Sequence, residues 1–133
     1  MSEFFHWDQS FDVGSRDMNA EHMQLIQLMN ALHEQHEAKA GREVLKRSIE
    51  QLRDFTIKHF QAEEAMMERL QYPKIDSHKI IHSELLRKFQ IHYDEFKAQG
   101  SLRQEFFDFL QLWLSAHIRG IDMQYSPYQK QAG

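Results

Sequence analysis

Apolar residues recur along most of this chain at steps of three, four and seven, the spacing of one face of a helix. Between residues 42 and 70 the inward stripe reads Leu45, Ile49, Leu52, Phe55, His59, Glu63, Met66, Leu70. Between 74 and 99 it reads Ile75, His78, His82, Leu85, Phe89, Phe96, and between 102 and 121 it reads Leu102, Phe106, Phe109, Trp113, His117, Ile121. An earlier run places His22 in phase with Leu25, Ile26 and Met29. Turn signals separate these runs. Asn19 is an N-cap type of residue and predicts a helix over 20–39, ending before Gly41. Tyr72-Pro73 breaks the chain, and Pro73 near a first turn starts the third helix, which ends at Gly100. Ser101 is the expected cap of the fourth, and Pro127 closes the ordered part. The pattern predicts an all-α, up-down-up-down four-helix bundle with an irregular N-terminal arm over 1–18, all within one domain spanning 1–133.

The stripes carry polar groups where a core expects apolar ones. His59 and Glu63 are four apart, as are His78 and His82, and positions i and i+4 are neighbours on a helix surface. His117 is in phase with Trp113, and Asp122 follows five residues later, near the helix end. Five imidazoles and two carboxylates therefore sit on four inward faces. A buried carboxylate is costly, and buried imidazoles need partners for both ring nitrogens. A hydrogen-bonded polar network would supply some of these partners; a metal site supplies all seven groups with a common one.

Composition narrows the chemistry. The chain has 133 residues, 41% hydrophobic and 27% charged, which suits an ordinary globular domain. Its net charge of −4 gives no electrostatic footprint for nucleic acid. Cysteine is absent, which excludes thiolate-ligated zinc, iron–sulfur clusters and thiol catalysis. No apolar run approaches a membrane span, and the first residues lack the pattern of a secretory signal, so a cytoplasmic location is expected. Only two prolines and five glycines favour long helices.

Nine histidines make the ligand question central. Seven ligands exceed one zinc site. Nitrogen with carboxylate suits iron, manganese or zinc, whereas calcium and magnesium prefer oxygen shells. Two metals bridged by both carboxylates and a water-derived oxygen fit the count. A metal with three imidazoles would then be six-coordinate, and one with two would keep a vacant position for a small ligand. His6, His33, His36 and His92 fall outside this set, and the methionines read as core filler.

Read together, the motifs resemble the hemerythrin family, more specifically its single-domain bacterial members. Trp7 with Phe11-Asp12-Val13-Gly14 is similar to that family's arm, Glu21-His22 to its first-helix ligand, HFQAEE to its second-helix motif, Tyr72-Pro73 to its loop, HKIIH to its third-helix pair and WLSAHIRGID to its fourth. The resemblance implies two non-haem iron ions with an oxo or hydroxo bridge. It assigns His78, His82 and His117 to one, His22 and His59 to the other, and Glu63 and Asp122 as bridges. It implies reversible O2 binding at the five-coordinate iron, with nitric oxide or small anions as further ligands. It also implies a pocket walled by Trp113 and Leu114, to which Phe55 and Ile118 are added as candidates.

Other readings of the same residues are separable. Ferritin-like carboxylate proteins need two Glu-x-x-His motifs, and the one here, Glu3 to His6, lies in the arm. A zincin helix needs His-Glu-x-x-His, which is absent. With the metal site granted, the expectation is an O2-binding protein and not an enzyme. The alternatives are an O2, redox or nitric oxide sensor acting through a separate protein partner, or a peroxide or nitric oxide reductase.

Overall fold

The structure is a computed structural model and describes residues 4–128. Residues 1–3 of the arm and 129–133 of the expected domain lie outside the described residues. Four helices account for most of the chain: α1 (Arg16–Glu37), α2 (Arg42–Arg69), α3 (Ile75–Gln99) and α4 (Gln104–Ala116). No strand occurs among the described residues. The helices follow one another as an up-down-up-down bundle, as the stripes predict.

The ends of the helices have local causes. α1 starts four residues earlier than Asn19 predicts, because Ser15 is the cap and its hydroxyl accepts from the Met18 N–H at 3.2 Å. Asn19 instead fastens the arm: its Oδ1 accepts from the Val13 N–H at 3.0 Å and its Nδ2 donates to Asp12 at 2.8 Å. α3 begins at Ile75, two residues past Pro73, and ends on Gly100 in the left-handed region at φ 77°. Arg103, not Ser101, is the N-cap of α4, without a side-chain bond.

The arm is irregular but belongs to the core. Phe5, Phe11 and Val13 are buried. Gly14 adopts φ 81°, and a Cβ there would lie 2.9 Å from the Ser126 hydroxyl, so the close approach of the two segments needs a glycine. At the far end of the bundle, Leu25, Met29, Leu32, Ile49, Leu52, Phe96, Phe107 and Leu110 are fully buried or nearly so. His33 and His36 pack on Phe107, and His92 stacks on Phe109 with ring centroids 5.1 Å apart.

α4 does not run to residue 121 as a regular helix. It passes into a π segment (His117–Ile121) and then a 3-10 turn (Asp122–Tyr125). Ile121, expected inward, is half-exposed, while Ile118 and Asp122 are fully buried.

Candidate metal centre

Each helix brings its polar residues inward for a simple reason. His59 with Glu63 on α2, and His78 with His82 on α3, are one turn apart and share the buried stripe of their helix. His22 lies on the buried face of α1. His117 and Asp122 need the π segment. In an α-helix five residues advance 500°, leaving the two side chains about 140° apart. Here the Asp122 N–H bonds to the His117 carbonyl, closing a five-residue turn that brings both side chains to one side.

All seven side chains are buried. The five imidazole Nε2 atoms converge on the two carboxylates. Glu63 Oε1 lies 3.1 Å from His78, 2.9 Å from His82 and 4.0 Å from His117. Its other oxygen, Oε2, lies 3.6 Å from His22 and 3.7 Å from His59. Asp122 divides in the same way: Oδ1 is 2.9 Å from His78 and 3.0 Å from His117, and Oδ2 is 3.2 Å from His22. The ligand atoms form two groups, each within 4.8 Å: Glu63, His78, His82, His117 and Asp122, and His22, His59, Glu63 and Asp122. Glu63 and Asp122 belong to both.

The donor chemistry fits cations. His59 Nδ1 donates to Glu21 at 2.7 Å and His82 Nδ1 donates to Glu64 at 2.8 Å, so in the neutral rings the Nε2 lone pairs face the cluster. A bare lone pair facing a carboxylate oxygen at about 3 Å is repulsive unless a proton or metal ion lies between them. Both nitrogens of His22 and of His117 and both oxygens of Asp122 lack hydrogen-bond geometry among the described residues despite these short approaches. Burial of so many orphaned polar atoms is costly, and a shared cation satisfies them together.

The electrostatics point the same way. Burial raises the Glu63 and Asp122 carboxyls, but the surrounding imidazoles outweigh it and hold both below the usual carboxylate range. Burial lowers His22 and His117, yet the two carboxylates push His22 up to about 9 and His117 up to about 10. The cluster is thus an electron-rich pair of carboxylates that attracts positive charge.

Of the expected pocket residues, Trp113, Leu114 and Ile118 are buried, whereas Phe55 is half-buried. The α2 aromatic in ring contact with the cluster is Phe60, which the sequence reading missed. It stacks on His82 with centroids 3.8 Å apart and planes at 4°, and meets Trp113 edge-on at 6.1 Å. Tyr125 was also missed. Its buried hydroxyl donates to Glu63 Oε2 at 2.9 Å. Burial and then the charges of Glu63 and Asp122 push its pKa well above 10, so it remains a neutral donor. The supporting acids Glu21 and Glu64 carried a signal: each directly adjoins a ligand candidate on its helix, which rotates it about 100° toward the neighbouring helix.

A four-helix bundle closed around a sealed cluster of imidazoles and carboxylates defines a metal-binding bundle. Comparison with known proteins narrows this: the hemerythrin HHE cation binding domain matches residues 13–128, and the chain belongs to the hemerythrin family. It is 32% identical to a hemerythrin-like protein of Naegleria gruberi over 91% of this chain and 90% of that protein. It is 29% identical to a bacteriohemerythrin of Pseudomonas aeruginosa over 90% of this chain and 77% of that one. A crystal structure of wild-type hemerythrin shares the fold with a TM-score of 0.86 at 24% identity, covering 94% of this chain and 97% of that one. No helix among the described residues is long and apolar enough to cross a membrane.

Proposed function

We propose that this chain binds O2 reversibly at a non-haem di-iron centre, as a carrier, store or buffer, and not as an enzyme. One observation supports it above the others: Glu63 and Asp122 each turn one oxygen toward the His78–His117 side and the other toward His22. Two bridging carboxylates between three imidazoles and two make unequal halves. The ion held by His22 and His59 keeps one position for a small ligand, and the one held by His78, His82 and His117 is full. Imidazole and carboxylate donors suit iron. When bound, the di-iron centre supplies the two electrons that reversible O2 binding needs.

The chain's residues supply everything else. Glu21 and Glu64 fix the ring orientation and tautomer of His59 and His82. Tyr125 holds Glu63 by its Oε2 edge. Trp113, Leu114, Ile118 and Phe60 surround the cluster with apolar surface that keeps out water and bulky reductants, with Phe55 at the margin. That wall favours release of O2 as O2 over turnover.

Metal and anion stoichiometry tests the unequal halves. Anaerobic loading with Fe(II) is expected to give two iron per chain, and the oxidised form is expected to take one azide per pair. One iron per chain, or two azides per pair, overturns the reading.

A further inference from the structure

The π segment that joins His117 to Asp122 also carries Arg119, and Arg119 is fastened to the arm. Its Nε donates to the Ser10 hydroxyl at 2.7 Å and its Nη2 to Asp8 Oδ2 at 3.2 Å. Its guanidinium lies 4.2 Å from the centre of the Phe11 ring. Asp8 in turn accepts from the Ser10 N–H at 2.8 Å and from the Ser10 hydroxyl, so the receiving groups are held in place. On its other side the arm is tied to α1. Asn30 exchanges two bonds with the Phe5 backbone, at 2.7 and 2.8 Å, and Asn19 holds Val13 and Asp12. The arm therefore bridges α1, which carries His22, and the π segment, which sits between His117 and Asp122.

A π turn is rare and less favourable than the α turn it replaces. Relaxing it to α would rotate the segment after it by about 100° per residue, turning Asp122 away from His117 and swinging Arg119 relative to the arm. Two groups of contacts hold the π register: those at the cluster and those at Arg119. Contacts that favour the same one of two arrangements are coupled, and the coupling is reciprocal.

We propose that Arg119 is a positioning residue for the metal centre: by clasping Asp8, Ser10 and Phe11 it holds the π register that aligns His117 with Asp122, so that metal binding and docking of the arm reinforce each other. The coupling rests on the metal reading above. It assigns the arm a role beyond covering the core, because any partner or covalent change that lifts residues 8–11 lowers metal affinity, and loss of metal loosens the arm.

The test is hydrogen exchange of residues 5–14 and Fe(II) affinity, both under argon, in wild type and in Arg119→Gln. Fe(II) is expected to slow arm exchange about fivefold, a size set by one exposed ion pair and one cation–π contact. Arg119→Gln is expected to abolish that slowing and to weaken Fe(II) binding by the same factor. Arg87→Gln removes an exposed pair with Glu84 on α3, away from the arm, and is expected to change neither. If Arg119→Gln does not fold, Asp8→Asn makes the same test from the exposed side of the clasp. Wild-type protein that takes up Fe(II) without a change in arm exchange overturns the coupling alone, as does Arg119→Gln with wild-type affinity. Wild-type protein that takes up no Fe(II) overturns the metal reading, and the coupling with it.

Discussion

His117 and Asp122 are five residues apart, yet His117 Nε2 lies 3.0 Å from Asp122 Oδ1 and the Asp122 N–H bonds to the His117 carbonyl. Backbone and side chain thus close the same loop. The extra residue in this turn lets the final helical stretch deliver two ligand candidates, where the regular phase would have delivered His117 and Ile121.

Glu63 is the only carboxylate on α2 that lies in both ligand groups, so removing it strips one arm from each half of the cluster. Glu63→Ala is expected to lose at least one of two metal ions. Asp122→Asn, which keeps the shape but not the charge, is expected to weaken uptake as well. Metal content by elemental analysis after gel filtration checks both, and full occupancy in Glu63→Ala contradicts the bridging role.

The hydroxyl of Tyr125 makes a hydrogen bond to a charged, fully buried group. Such bonds contribute about 1.5–3 kcal/mol. Tyr125→Phe is expected to retain metal but to lose about that much stability in urea unfolding of the loaded protein. Unchanged stability would mean that the phenol contributes packing alone.

Leu114 is 1% exposed, between Trp113 and the segment that carries His117. Truncating a buried leucine leaves a cavity at a cost of about 2–5 kcal/mol. Leu114→Ala is expected to admit water to the centre and speed autoxidation of the oxygenated protein, followed by its visible absorbance. Phe60→Ala is expected to do the same by uncovering one face of His82. Wild-type rates in both variants contradict the apolar wall.

Protons and metal ions compete for the same nitrogens. In the metal-free protein His22 is raised from 6.5 to about 9 and His117 to about 10, by the carboxylates against the effect of burial. A raised histidine pKa stabilises the fold fully below 6.5 and loses that contribution as pH climbs through 9 to 10. Melting temperature of the metal-free protein is therefore expected to fall across that window, while that of the loaded protein stays flatter. Metal uptake near neutral pH is expected to release protons. A flat metal-free profile contradicts the protonated cluster.

The sequence makes some of this legible and hides the rest for physical reasons. Four stripes with steps of three and four predict four helices because burial of one face is what holds a helix in place. His59 with Glu63 and His78 with His82 are visible as pairs because i and i+4 share a face. Asp122 lies off that phase; proximity in sequence flags it, and the π turn that makes it useful has no periodic signature. Phe55 looks like a pocket residue because it stands one turn before His59. Phe60 takes the place because α2 turns its next residue toward α3, where His82 lies. Tyr125 falls beyond the last helical stripe, so no pattern points to it. Ser15 and Asn19 are both good caps, and only the folded arm decides that Asn19 is needed elsewhere.

The central claim is reversible O2 binding, and one cycle tests it. The iron-loaded protein is reduced under argon, exposed to O2 and then purged again, with the visible spectrum recorded throughout. A charge-transfer band that rises with O2 and disappears on purging is the predicted result. Direct passage to a stable ferric spectrum that purging does not reverse would contradict it, and would leave the cluster as a redox centre with no carrier role.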